Sequence, residues 1–223
     1  DRRHLAAFSE IGTGQPDLAR LFFSWYGAVF ADGALSPREK SLAALAVAHV
    51  VQCPYCIDAY TKGSLEAGAD LEQLTEAVHV AAAVRAGSTL MYGMQAMAQA
   101  AELELGEPPA EKVAAYFDRS HVDGRREGGE ASPALTEGEL GWETAAFGEG
   151  ALDLRAKSAI AVASAHALQC AYSIDRAVRV AREADLDLTA ITEAVHVAAA
   201  IRGGASLVHG IQMLEQVREE EKS

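Results

Sequence analysis

The sequence predicts an all-α protein built from two tandem helical bundles packed as a pseudo-twofold pair. Three observations carry that expectation. Aromatic residues make up 6% of the 223 positions while alanine, leucine, glutamate and valine dominate, a composition that suits close-packed helices and not strands, which draw on aromatic and β-branched side chains. "TEAVHVAAAVRAGSTLMYGMQ" at Thr75–Gln95 returns as "TEAVHVAAAIRGGASLVHGIQ" at Thr192–Gln212, an offset of 117 residues. The same offset, without a gap, pairs Trp25 with Trp142, Phe30 with Phe147, Lys40 with Lys157, His49 with His166, Cys53 with Cys170, Tyr55 with Tyr172 and Asp58 with Asp175. The third observation is helical punctuation that recurs within each copy.

In order along the chain, Ser36 suits an N-cap, Pro37 the first helical position and Glu39 the far side of a capping box, so a helix is predicted over Pro37–Val51. Pro54 cannot continue that helix but suits the start of another, which puts Cys53 at the N-cap of a second helix running to about Ala67 and ended by Gly68. Asp70 caps a third, Leu71–Ala86, which Gly87 breaks or kinks before "STLMYGMQAMAQAAEL" resumes. The chain divides into a first repeat at 1–106, a linker at 107–141 whose "EPPAEK" and "DGRREGGEASP" are too rich in Pro, Gly and charge to build a core, and a second repeat at 142–223.

A net charge of −13 and a pI near 4.9 set the chain against phosphate backbones and anionic lipid, so neither nucleic acid nor a membrane is an expected partner. The longest apolar run, Leu42–Val51, is half a membrane span and is interrupted by His49. Nothing resembles a signal peptide, and the cytoplasm is the expected compartment. Three cysteines are too few for a secreted disulfide framework.

"AHVVQCPYCIDAYTKG" at Ala48–Gly63 carries the chemistry. A helix N-terminus offers unpaired N–H groups and about half a positive charge, which favours thiolate over thiol at Cys53. Cys56, one turn on, is within reach for a disulfide that a partner thiol could reset. His49, four residues before Cys53, is a candidate proton acceptor if the interhelical turn is tight. Two other readings stay open: a metal clip of His49, Cys53 and Cys56 for a soft ion such as Zn²⁺ or Cu(I), and cysteines serving as small apolar filler. His79 and His196 share the context "TEAVHVAAA" on what should be a buried face, which suggests a packing or hydrogen-bonding job. Arg85 and Arg202 are expected to pair with acidic residues at a subunit contact, and Met91, Tyr92, Met94 and Met97 to be core or interface.

"REKSLAALAVAHVVQCPYCIDAYTKGSLEAGADLEQLTEAVHVAAAVRAG" resembles the carboxymuconolactone decarboxylase and alkyl hydroperoxidase D-like superfamily, and within it the arsenosugar biosynthesis-associated peroxidase-like branch. The likeness covers Phe22 to about Gln99, and Trp142 to about Gln216 as a diverged copy. It implies an all-helical fold, assembly as trimers or hexamers of the unit, and peroxide reduction through the C-x-x-C pair with Cys56 as peroxidatic thiol and Cys53 as its resolving partner. Helix-dipole reasoning instead makes Cys53 the more acidic thiol. Peroxidase members usually carry a glutamate twelve residues before the first cysteine and a histidine four after the second; Ser41 and Tyr60 stand there. Tyr60 is one turn beyond Cys56 and could hydrogen-bond to a leaving oxygen. In the second copy Ser173 replaces the second cysteine and Ala177 stands where Tyr60 does, so that half is expected to be a structural partner, with Cys170 at most a third thiol or a metal ligand with His166. The expected activity is that of a thiol-dependent peroxidase or disulfide reductase, with a peroxide or related substrate, a thiol reductant, no bound organic cofactor and a homo-oligomer, a trimer favoured. A non-catalytic oligomeric scaffold is the alternative from another class.

Overall fold

The computed structural model describes residues 6–105 and 132–221, without the side chains of 94–105. A 3-10 turn at Phe8–Gly12 leads into α1 (Pro16–Phe30), α2 (Pro37–Val50), α3 (Pro54–Glu66) and α4 (Leu71–Leu105), and then α5 (Pro133–Phe147), α6 (Leu154–Leu168), α7 (Ala171–Glu183) and α8 (Leu188–Glu220). The described residues contain no strand. Every helix of the second set starts 117 residues after its counterpart in the first, so the duplication extends back to Pro16 and Pro133. Helix α5 therefore begins inside the stretch read from the sequence as linker; residues 107–131 of that stretch lie outside the described residues, as do the side chains of Met94 and Met97.

Local chemistry sets the helix starts. Ser36 Oγ accepts from the Glu39 N–H at 3.3 Å and Glu39 Oε2 accepts from the Ser36 N–H at 2.7 Å, a complete capping box. Asp153 and Asp187 cap α6 and α8 by accepting from Ala156 and Ala190, each at 2.8 Å. Gly87 does not break α4, which runs as a single helix of 35 residues. The intrinsic cost of a mid-helix glycine is only about 1 kcal/mol, and α4 packs against α2, α6 and α5.

The centre is the pair α2 and α6. Both are buried nearly all round, Leu42–Ala48 on one and Ala156–Ala165 on the other, as expected of a helix with protein on every side. Their alanines let backbones approach closely, and the long helices α4 and α8 each pack on both. One hydrophobic cluster consequently runs through both repeats. The first helices are exchanged: α1 lies on α8 and α5 on α4. Trp25 donates its indole N–H to His196 Nδ1 at 3.4 Å, and Trp142 does the same to His79 Nδ1 at 3.2 Å. The two histidines are exposed, not buried as the sequence suggested, and each serves as an acceptor for the other repeat's tryptophan.

Two mirrored ion pairs clasp the halves. Lys40, 2% exposed, reaches Glu193 Oε2 at 3.1 Å and donates to the Ala31 carbonyl at 2.6 Å. Lys157, 1% exposed, reaches Glu76 Oε2 at 3.3 Å and donates to the Gly148 carbonyl at 2.7 Å. Each carboxylate also accepts two backbone N–H bonds from the loop before the partner repeat's central helix: Glu193 from Ala34 and Leu35, Glu76 from Ala151 and Leu152. A Cβ at Gly33 or Gly150 would overlap these carboxylates, so the bare backbone is what lets the acid approach.

Candidate active site at the start of α3

Helix α2 ends in a Schellman turn with Gln52 left-handed at φ 56°: the Gln52 N–H bonds to the His49 carbonyl at 3.2 Å and the Cys53 N–H to the Ala48 carbonyl at 3.1 Å. With Pro54 at the first helical position, this turn delivers Cys53 to the N-cap of α3. The Cys53 sulfur accepts the Cys56 backbone N–H at 3.4 Å, taking the place a serine oxygen usually fills. The second repeat repeats the turn with Gln169 at φ 56° and Cys170 capping α7 through the Ser173 N–H at 3.5 Å. All three cysteines are free of disulfide bonds and buried.

The two sulfurs of the first repeat differ in environment. Burial pushes the Cys56 thiol well above the ordinary cysteine range, and its hydrogen bond to Cys53 and the charge of that sulfur push it further. Cys56 therefore holds its proton while Cys53 receives donors from the helix start and from its neighbour. Around Cys56 the packing is aromatic. Burial raises the Tyr26 phenol, with a further push from Cys56, and Tyr26, Phe30 and Tyr60 pack in sequence, with centroids 4.9 Å apart for the first pair and 5.7 Å for the stacked second. The Tyr60 hydroxyl is buried with no hydrogen-bond partner. A buried, unpaired phenol one turn beyond Cys56 is a donor in search of an acceptor.

His49 does not meet either sulfur by hydrogen bond. Its Nδ1–H donates to the Leu45 carbonyl at 2.9 Å on its own helix, a bond reproduced by His166 and Val162 at 2.8 Å. The bond ties this ring nitrogen to a carbonyl one turn back on the same helix, so Nδ1 is not the nitrogen that could take a proton from a sulfur. Among the described residues no set of three or more His, Cys, Asp or Glu is placed to hold a metal ion, so His49, Cys53 and Cys56 do not form the metal clip considered from the sequence. Within one chain, Arg85 donates to the Val50 carbonyl at 2.7 Å and Arg202 to Gln169 Oε1 at 3.2 Å, and neither pairs with an acid among the described residues.

Sequence reasoning missed His209. It comes from α8 of the second repeat, packs edge-on against Tyr55 with centroids 5.3 Å apart, and lines a groove of about 500 Å³ together with Cys53. The signal was present as a departure from the duplication, because the residue 117 positions earlier is Tyr92. On the opposite side Tyr92 meets Tyr172 edge-on, and both pack with Met91 and Cys170 in a closed cluster.

The second repeat is altered in a coherent way. Glu143, Ser173 and Ala177 stand at the positions of Tyr26, Cys56 and Tyr60. Where the first repeat packs three rings, the second has a cavity of about 490 Å³ lined by Glu143, Phe147, Ser173, Arg176 and Ala177 among others. Arg176 pairs with the buried Glu143 carboxylate at its wall. Cys170 lies beside this region. Burial raises its thiol, but the hydroxyls of Ser173 and Ser88 and the N–H groups of Ser173 and Tyr172 outweigh it and leave the thiol below the ordinary range.

The family model of the carboxymuconolactone decarboxylase family matches twice, at residues 16–99 and 133–216, with the same offset that relates the helices. "Uncharacterized protein 4 in cox locus" of Paracoccus denitrificans is 42% identical over 99 residues, which is 44% of this chain and 89% of that protein. The crystal structure of a Burkholderia xenovorans protein described as a gamma-carboxymuconolactone decarboxylase subunit has a TM-score of 0.76 at 16% identity, covering 99% of this chain and 96% of that one, a likeness of fold. With both halves matched and the eight α-helices of the described residues falling into two sets 117 residues apart, the chain is a tandem-duplicated member of the carboxymuconolactone decarboxylase family.

Proposed function

We propose that the first repeat is a thiol-dependent oxidoreductase centre that reduces a peroxide, with Cys53 as attacking thiol and Cys56 as its resolving partner. The observation that carries this reading is the Cys53 sulfur at the N-cap of α3, accepting the Cys56 N–H while the Cys56 thiol is held protonated. The Cys53 thiolate attacks one peroxide oxygen, the O–O bond breaks, and the alkoxide takes up a proton and leaves as alcohol. Cys56 then attacks the sulfenic sulfur, closing Cys53–Cys56 with loss of water. An external dithiol restores both thiols and carries away the two oxidising equivalents. His209 is the imidazole on the open side of Cys53, and we assign it the proton-accepting part that the sequence suggested for His49. In this reading Tyr60, whose buried hydroxyl has no hydrogen-bond partner among the described residues, keeps the part of a hydrogen-bond donor to a leaving oxygen.

The glutamate and histidine of the usual relay are absent, so slow turnover with simple peroxides is expected. The second repeat, with Ser173 opposite Cys170, cannot close a disulfide and serves mainly as the structural half of the shared core. A homo-oligomer of three such chains would bring together six family units. The test is peroxide consumption with a dithiol reductant, comparing wild type with Cys53→Ser and Cys56→Ser. Cys53→Ser should abolish turnover; Cys56→Ser, oxidised by peroxide with no reductant present, should stop after one equivalent, leaving a sulfenic acid on Cys53 that dimedone traps. Undiminished turnover in both variants would remove the proposal. His209→Ala should slow the first step more than His49→Ala.

A further inference from the structure

We infer that the groove beside Cys53 is an anion-binding site that draws small carboxylate-bearing thiols onto the Cys53 sulfur. Arg85 and Arg202 occupy equivalent positions 117 residues apart and enter one groove from α4 and α8, so the groove straddles the pseudo-twofold relation between the repeats. Neither guanidinium has a carboxylate partner among the described residues. Arg85 bonds to the Val50 carbonyl and Arg202 to the Gln169 side chain, which leaves most of the five N–H donors of each free to meet an anion. The residues lining the groove include His209 and Ser206 but no Asp or Glu. In a chain with 32 acidic and 19 basic residues, two unneutralised guanidiniums in one concavity mark where an anion from solution is held.

The groove opens on one cysteine only. Cys53, though little exposed, lines it, whereas its counterpart Cys170 does not and packs with Met91 and Tyr172, which line the second repeat's cavity. Cys56 is engaged on the aromatic side with Tyr26. This points to the resetting half of the cycle and rests on the disulfide chemistry proposed above. A thiolate carrying a carboxylate attacks the Cys53 sulfur of the Cys53–Cys56 bond; that bond breaks, and Cys56 leaves as thiolate and takes a proton. A second thiolate of the same kind displaces Cys53 as thiolate and departs as the symmetric disulfide, so two thiols are oxidised and one protein disulfide is reduced.

The site is tested without turnover by alkylating Cys53 in the full-length reduced protein with iodoacetate and with iodoacetamide, which differ in charge but form the same S–C bond, and reading the position by peptide mass mapping. The iodoacetate-to-iodoacetamide rate ratio should fall about tenfold or more in Arg202→Gln and in Arg85→Gln, as loss of a charge-assisted contact implies, and Arg202→Lys should retain most of it. Excess succinate should slow iodoacetate alone. An unchanged ratio in both glutamine variants, or no alkylation of Cys53 by either reagent, overturns the inference. Arg202→Gln is the safer variant, since the bond its guanidinium makes among the described residues is to a side chain. Regeneration by mercaptosuccinate against neutral 2-mercaptoethanol, and oxidation by a carboxylated against a neutral hydroperoxide, separate the two sources of anion; charge dependence confined to the hydroperoxide arm overturns the assignment to thiols. A protein with the expected alkylation ratio but no peroxide turnover would refute the proposed activity and leave the anion site standing.

Discussion

Lys40→Met isolates the clasp between the repeats. Methionine keeps the length of the aliphatic stem, so no cavity opens in a position that is 2% exposed. What is lost is the ammonium, its 3.1 Å contact with Glu193 and its 2.6 Å bond to the Ala31 carbonyl. Breaking a buried ion pair by removing one partner costs about 3–5 kcal/mol. The lower end applies here, because Glu193 keeps two backbone N–H donors and is 21% exposed, so its stranded charge is partly solvated. For a chain of this size, about 3 kcal/mol corresponds to roughly 6–12 °C in melting temperature. The assay is thermal and urea unfolding at fixed protein concentration, with Glu193→Gln and the double variant completing a cycle. Lys157→Met should behave alike, since its partners are the same by the duplication. A loss below about 1 kcal/mol in both lysine variants, with helix content intact, would refute the argument that these pairs hold the halves together.

Acid should weaken the same clasp. Burial raises the carboxyls of Glu76 and Glu193, but the N–H bonds and the lysine outweigh it and hold both below the ordinary range when folded. A depressed folded pKa contributes stability that is present above the unfolded value, about 4.3, and is lost as pH falls through the folded value; urea midpoints should drop below about pH 4.5, and less steeply in Glu76→Gln/Glu193→Gln, where an unchanged slope would contradict the assignment. Ser88→Ala removes a hydroxyl donor to the Cys170 sulfur, so the thiolate absorbance of a Cys53→Ser/Cys56→Ser background should titrate at higher pH, and no upward shift would show that Ser88 does not hold that thiolate.

The all-α class, the offset of 117 and the capping of α2 and α3 were legible in the chain because they are local: a serine, a proline and a glutamate at fixed spacing act on the backbone beside them. The placement of Cys53 at a helix start was legible for the same reason. The course of α4 past Gly87 was not, since a propensity cost of about 1 kcal/mol is decided by what packs against the helix. Nor was the fate of His49, whose choice of the Leu45 carbonyl depends on the path of the turn that follows it.

By itself the sequence determined two copies of a helical unit and a cysteine pair whose first sulfur caps a helix, because helix periodicity and capping need only near neighbours. Only the tertiary structure decided that the copies exchange their first helices and share one core, that Lys40 answers Glu193 across the pair, and that His209, Arg85 and Arg202 gather beside Cys53. Those residues are brought together by the close approach of alanine-rich helices on a pseudo-twofold relation, and the distance between them along the chain carries no trace of it.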